Sequence, residues 1–222
     1  MEKRVLPEPT LRRLPLYLHL LRKLEVLGRP AVSSSHLGEE LGLDPTQVRK
    51  DLEATGIVGR PRVGYDVALL IDAIESALGW NNVRQAFLMG AGNLGQALLG
   101  YGRFREAGLE IVAAFDRDAG KIGTEFHGKQ VLPITKLPNL AKRMHVMVGI
   151  LTVPPEVAQS AADELVEAGI LAIWNFTPVR LRVPEGVIVQ NEDLYSGLAT
   201  LTQKLAAKLA ADHHGAKNHA AE

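Results

Sequence analysis

The sequence predicts an α/β chain in two unequal parts. Three short helices and a hairpin come first, and a longer run of alternating strands and helices follows. Three observations predict this. Apolar residues recur at helical spacing in the first 80 residues. A glycine-rich turn, "GAGNLG", follows an apolar strand and opens a helix. Strand-like runs at 85–89, 109–115, 129–134, 145–150, 170–174 and 187–190 are separated by helical runs near 93–107, 135–142 and 156–168. Such alternation implies a parallel, doubly wound sheet, because a parallel neighbour is reached through a crossover helix.

Residues 1–9 hold two prolines and little pattern, so a loose start is expected. From Thr10, a candidate N-cap, Leu11, Leu14, Leu18, Leu21 and Leu24 form one helical face that ends at Gly28 and Pro30. Pro15 requires either a kink or a later start. "SSSHLGEELGL" reads as a second helix behind a serine cap. In "DPTQVRKDLEATG", Asp44 can cap free amides, Pro45 suits the first helical position, Gln47 completes a capping box and Gly56 ends the helix. "IVGRPRVGYDV" reads as a hairpin around residues 59–62, and Asp66 caps a further helix over 67–78. Three helices and a hairpin within 66 residues give the order of a winged helix-turn-helix. The third helix would then enter a DNA major groove. Thr46, Gln47, Arg49 and Lys50 are its exposed candidates, with Arg60 and Arg62 on the hairpin. Gln47 also has its capping role, and Arg49 and Lys50 otherwise form a solvated face beside Asp51 and Glu53.

Gly90-Ala91-Gly92-Asn93-Leu94-Gly95 is a G-x-G-x-x-G turn in the strand–turn–helix context that a dinucleotide site needs. Gly90 permits the turn, Gly92 lets the backbone approach a pyrophosphate, and Gly95 lets helix pack on strand. The helix N-terminus offers free amides to phosphates. The next strand ends at Asp116, 21 residues beyond Gly95, where a carboxylate can bind the adenine ribose and repel a 2′-phosphate. Arg117 follows and leaves some tolerance for that phosphate. Loops at the carboxyl ends of later strands add Thr152, Val153 and Pro154, then Asn175 and Phe176, as candidates for the nicotinamide end. The nucleotide expected is therefore NAD or NADH, with NADP less favoured. The fold is a winged helix-turn-helix followed by a Rossmann-like sheet, with domains expected at 1–80, 81–192 and 193–222. Residues 79–84 form the linker, and a last helix over about 193–211 precedes a polar tail.

Composition narrows the classes. The 222 residues are 46% hydrophobic and 23% charged, which argues against wholesale disorder. Cys is absent, so a disulfide framework and a thiol nucleophile are excluded, and a reducing cytoplasm fits. No uncharged apolar run approaches the ~18 residues of a membrane span. Arg12, Arg13, Pro15 and His19 interrupt the leucine-rich start, so no signal peptide is expected. Net charge is zero overall and +2 over residues 1–66, so any DNA-binding surface depends on where the charges are placed. No metal site is expected: His127 and His145 have bland settings, and His213, His214 and His219 lie in the polar tail.

The stretches "TLRRLPLYL", "SSSHLGEEL", "TQVRKDL", "GYDV", "GAGNLGQALLGY", "FDRDAGKIG", "LTVPPEVAQ", "GILAIWNFTPV" and "NEDL" run in order over roughly residues 10–200. Together they resemble the Rex family of bacterial redox-sensing transcriptional repressors. The resemblance implies a homodimer whose last helix is swapped onto the partner. It implies NADH and NAD⁺ as competing ligands, and a palindromic operator released when NADH binds. It also implies a nicotinamide-side role for Tyr101, and a pairing of Arg13 with Asp193 that links the DNA module to the partner's core in one ligation state. "EATGIVGRPRVGY" departs from the family by lacking its aromatic pair and glycine-richer wing.

Other readings are a small NAD-dependent dehydrogenase, a coenzyme A-binding Rossmann protein and an NAD-bound scaffold. A dehydrogenase needs a substrate chamber and a proton donor near the nicotinamide. Only one helix and a tail follow the sheet, and no paired carboxylates or Ser/His/Asp order appear, so no enzyme is expected. Coenzyme A carries a ribose phosphate that Asp116 would repel. The scaffold leaves the capped helix and wing arginines unexplained.

Overall fold

The computed structural model describes residues 6–81 and 84–219, with Leu194 and residues 210–219 described by backbone alone. Met1 to Val5, part of the loose start, lie outside the described residues, as do Asn82 and Val83 of the expected linker. The tail histidines His213, His214 and His219 lie outside the described side chains. The chain divides into two compact units. One holds the residues before Arg84 together with Arg103–Leu109, and the other holds Arg84–Gly102 and everything from Glu110 onward.

The first unit contains α1 (Glu8–Val26), β1 (Ala31–Val32), α2 (Ser34–Leu41), α3 (Pro45–Ala54), β2 (Tyr65–Asp66) and α4 (Val67–Leu78). Helix α1 starts two residues before Thr10 and runs through Pro15 without a later start. Thr10 does not cap it, because its side chain is buried and bonded elsewhere. Leu14, Leu18 and Leu21 are buried as their spacing requires, joined by Tyr17. They pack with Leu37, Val48 and Leu70 in one core. Each such side chain contributes ~1.5–3 kcal/mol on burial. Ser33 caps α2 by accepting from the His36 N–H at 3.1 Å, and Asp66 caps α4 through the Leu69 N–H at 3.0 Å.

The expected hairpin contracts to a tight loop with a single antiparallel bridge, Arg60 to Gly64. Its second limb, β2, pairs instead with β1, Val32 facing Tyr65. Gly64 explains the choice. Its φ is +89°, and a Cβ there would lie 2.3 Å from the Val32 carbonyl oxygen, so only glycine lets the two backbones meet.

The second unit is built on a seven-stranded sheet ordered β5-β6-β4-β3-β7-β8-β9. Its strands are β3 (Arg84–Met89), β4 (Leu109–Asp116), β5 (Glu125–Phe126), β6 (Lys129–Pro133), β7 (Val148–Leu151), β8 (Ala172–Asn175) and β9 (Ile188–Asn191). The β4/β6, β3/β7, β7/β8 and β8/β9 ladders are parallel. The antiparallel β5 at the edge escaped the sequence reading because it has only two residues. The chain crosses from one half of the sheet to the other between β6 and β7, so β3 borders the topological switch point. The helices of this unit are α5 (Asn93–Leu99), α7 (Leu137–Met144), α8 (Ala158–Glu167) and α9 (Leu194–His219), while α6 (Arg103–Glu106), which follows α5 in the chain, belongs to the first unit. The single helix expected near 93–107 is two, since Gly100 ends α5 and Gly102 precedes α6. His145 does not begin a strand. It is the left-handed C-cap of α7, with φ +53°. Helix α9 runs eight residues past the expected boundary, to His219.

Candidate functional site

The carboxyl ends of β3, β4, β6 and β7 enclose a cleft of about 560 Å³. Gly90 turns the chain off β3 with φ +103°. A Cβ there would meet the Thr152 carbonyl at 2.8 Å, so the turn lies flat against the loop after β7. A Cβ on Gly95 would stand 2.1 Å from the Gly90 carbonyl oxygen, which fixes how closely α5 approaches the turn. Nothing lies within 4 Å of the place where a Gly92 Cβ would be. Gly92 itself lines the cleft. As N-cap of α5, Gly92 has no side chain to satisfy the first amides of the helix.

Asp116 ends β4 and is the best-defined polar group in the cleft. Its Oδ2 accepts from the Ala91 N–H at 2.8 Å and from Lys121 Nζ at 3.1 Å. Its Oδ1 accepts from the Asp118 N–H at 2.9 Å. Burial alone would push this carboxyl up. The bonds from Asp118, Lys121 and Ala91 outweigh it and hold the group below the usual carboxylate range. Of about four acceptor positions on a carboxylate, three are used, leaving one on Oδ1 for a hydroxyl donor.

Seven of the sequence candidates line the cleft: Gly90, Gly92, Asp116, Arg117, Thr152, Val153 and Pro154. The Thr152 hydroxyl donates to the Gly90 carbonyl at 2.7 Å, so it braces the turn. Ala91 is buried and acts through its N–H. Asn93 and Leu94 are exposed on the first turn of α5, and Gly95 is buried behind it. Asn175 does not reach this cleft. It is fully buried, its Nδ2 donating to Val179 O and Asn191 Oδ1 while its Oδ1 accepts from Thr177. It therefore shapes the loop after β8. Phe176 lines a second cavity, of about 530 Å³, with Arg180, Glu192, Asp193 and Tyr195. Tyr101 is 50% exposed and lines neither of these two cavities.

Sequence reasoning missed Asp118, Lys121, Ile134, Val157 and Ala161, which also line the cleft. Ile134 follows β6 and was findable from the rule that ligands gather at strand carboxyl ends. Lys121 stands five residues past Asp116 in "FDRDAGKIG", where the turn after β4 brings it back.

In the first unit, Asp44 caps α3 by accepting from the Thr46 and Gln47 N–H groups at 2.8 and 3.0 Å. The Gln47 side chain does not close a capping box. Its Nε2 donates to Asp51 at 3.0 Å instead. Thr46, Arg49, Lys50, Arg60 and Arg62 are exposed, and Gln47 is half-buried. Arg49 pairs loosely with Glu53, at 3.9 Å. Asp51 is only 1% exposed and is the hub of this unit. Arg13 donates to both its oxygens, at 2.6 and 2.8 Å. Tyr17 Oη and Thr10 Oγ1 donate as well, at 2.7 and 3.0 Å. Burial would raise the Asp51 carboxyl, but the bonds from Arg13, Tyr17, Thr10 and Gln47 prevail and depress it. Arg13 is thus held by Asp51 on α3, while Asp193 caps α9 by accepting from the Tyr195 and Ser196 N–H groups at 2.9 and 3.1 Å.

A winged helix-turn-helix and a Rossmann-type sheet with a glycine-lined cleft define a class: proteins that join a DNA-binding module to a nucleotide-type domain. A family model described as "Putative DNA-binding protein N-terminus" matches residues 5–53, and one described as "CoA binding domain" matches 81–179. The chain belongs to the Rex family of redox-sensing transcriptional repressors. It is 52% identical to the Rex repressor of Treponema denticola over 202 residues, covering 90% of this chain and 96% of that one. It is 46% identical to the Rex repressor of Bacteroides thetaiotaomicron, covering 90% of each. RSP, a Rex-family repressor solved in complex with beta-NAD⁺ and operator DNA, is 33% identical with a TM-score of 0.86, covering 96% of this chain and 98% of that one. RSP in complex with beta-NADH gives 32% and 0.82, covering 94% and 98%. These relatives are named as repressors and not as enzymes.

Proposed function

We propose that this chain is a homodimeric repressor that binds a palindromic operator and releases it when NADH occupies the cleft. The observation that carries this is the cleft itself, in a chain of this family: a flat glycine turn, an open Gly92 and a depressed Asp116 carboxylate with one free acceptor position. Asp116 would take an adenine-ribose hydroxyl, and the amides after Gly92 the pyrophosphate. Asn93, Leu94, Thr152, Val153 and Pro154 would form the rest of the wall. Phe176 would bound the nicotinamide end, on a loop that Asn175 holds from within, and the family resemblance assigns Tyr101 to the same end. The coenzyme A description fits less well, since a 3′-phosphate on that ribose would face Asp116 and Asp118.

The two redox forms differ by one positive charge on the nicotinamide. An apolar pocket disfavours that charge, because desolvating it costs free energy. NADH would bind more tightly than NAD⁺, and would prefer the dimer conformation whose recognition helices cannot span two major grooves. Shifting such a balance from 1:99 to 99:1 takes ~5.5 kcal/mol, shared by two sites. Helix α9 supports the dimer. Tyr195, Leu198, Leu201, Leu205 and Leu209 form an apolar stripe at helical spacing, each at least half exposed. A swapped second copy would cover it, with Asp193 and Arg13 exchanging partners across the dimer. The domains follow as 1–80, 81–192 and 193–222. A repressor of this kind would work in the cytoplasm, where its DNA target lies; no described helix is long and apolar enough to cross a membrane.

Operator contact falls to Thr46, Gln47, Arg49 and Lys50 on α3, with Arg60 and Arg62 in the wing. Arg49→Ala is expected to weaken operator binding by ~1–3 kcal/mol at fixed salt and to leave NADH affinity unchanged. Fluorescence anisotropy on a labelled duplex measures the first, and NADH titration the second. Loss of both together would contradict the assignment of two separate sites.

A further inference from the structure

Two cations line the cleft, Arg117 and Lys121, and a carboxylate holds each. Lys121 Nζ stands 3.1 Å from Asp116 Oδ2 and 3.8 Å from Asp118 Oδ2. Arg117 donates through Nη2 to Glu164 Oε1 on α8. Glu164 is not itself a wall of the cleft. Ala161, one turn earlier on the same helix, is, and Glu164 reaches the site through Arg117. Its second oxygen, Oε2, is buried and has no hydrogen-bond partner among the described residues. A buried acceptor that nothing satisfies keeps its full negative potential. Counting Asp116, Asp118 and Glu164 against Arg117 and Lys121, this rim is net negative.

A dinucleotide phosphorylated on the ribose 2′-hydroxyl brings nearly two further negative charges to this rim. Rossmann sites that accept it use an arginine near the end of the second strand. Arg117 stands in that place, one residue past Asp116. We propose that Glu164 is a specificity-determining residue of the cleft. By engaging Arg117 it withholds that guanidinium from the adenosine end, and so the cleft rejects NADPH and NADP⁺ in favour of NADH and NAD⁺. The inference rests on the proposed dinucleotide site and adds a second carboxylate to the discrimination that Asp116 begins. The pair is partly exposed, 54% for the Arg117 side chain and 31% for Glu164, so it contributes little to folding and can be altered safely.

The test is fluorescence titration of the full-length protein with NADH and with NADPH. Glu164→Gln is expected to leave NADH affinity within about twofold and to tighten NADPH by about tenfold, or ~1.4 kcal/mol. Glu164→Asp, which keeps the charge, should restore most of the discrimination. Adding Arg117→Ala to Glu164→Gln should abolish the gain, because the freed guanidinium is what takes the phosphate. A purely structural role would move both dinucleotides together. An unchanged NADPH-to-NADH ratio in Glu164→Gln, or a gain that survives Arg117→Ala, would overturn the inference. A wild-type protein that binds neither dinucleotide would instead overturn the site assignment.

Discussion

Gly92→Val should fold as the wild type does and lose NADH. Gly92 has φ −78° and ψ −172°, extended backbone that valine readily adopts, and its added Cβ meets no protein atom within 4 Å. A somewhat poorer N-cap is the main cost to the fold, and the reduced freedom of the unfolded chain offsets part of it. The valine would occupy the space through which a pyrophosphate approaches the amides of α5. We expect NADH affinity to fall by at least about 100-fold, ~2.8 kcal/mol, with the melting temperature within a few degrees of wild type. The variant should hold its operator and ignore NADH. Gly95→Val is the contrasting control, because its Cβ would lie 2.1 Å from the Gly90 carbonyl oxygen and the turn itself would give way. Wild-type NADH titration by Gly92→Val would mean that the ligand does not cross this turn.

Asp51→Ala should have the largest effect on stability. Removing the carboxylate strips Arg13, Tyr17, Thr10 and Gln47 of a shared acceptor. Breaking a buried ion pair by deleting one partner costs ~3–5 kcal/mol. For a unit of this size, each kcal/mol lowers the transition by ~4–8 °C, so thermal unfolding followed by circular dichroism should show a drop of at least ~12 °C. The same network predicts an acid dependence. The folded-state pKa of Asp51 lies below its unfolded value of ~3.9, so the stabilisation is fully present above that value. It is lost as pH falls through the lower, folded value. Wild type should therefore lose stability below pH ~4, and Asp51→Asn should show a shallower loss over the same range. Asp116 titrates in the same direction in the other unit, so the difference between wild type and Asp51→Asn isolates Asp51. A parallel pH profile for the two would contradict this role.

Asp51 also marks the limit of what the sequence discloses. Beside Arg49 and Lys50 it reads as one more charge on a solvated helix face. Its burial depends on Thr10, Arg13 and Tyr17, which are 34 to 41 residues away and meet it only when α1 packs on α3. Gln47 misled for the same reason, since a local capping box competed with a deeper carboxylate that spacing does not reveal. Glu164 lay hidden likewise, 47 residues from Arg117. Local signals were legible. The glycine turn, Asp116 at the end of β4, the Asp44 cap and the strand–helix alternation all follow from contacts within a few residues or from a fixed fold rule. The split between α5 and α6 has a local cause too, the two glycines of "GYG" between them. The wing was half legible: its turn is local, whereas the pairing of β2 with β1 depends on Gly64 meeting Val32.

The central claim is that the oxidation state of a nicotinamide in this cleft governs the grip of α3 on DNA. Its most direct test is equilibrium binding of the purified protein to a duplex selected by it from random sequences, at fixed salt, titrated with NADH and with NAD⁺. We predict release by NADH at concentrations where NAD⁺ leaves the complex intact, with the cofactor unconsumed. Equal retention of DNA with either form bound would contradict the claim.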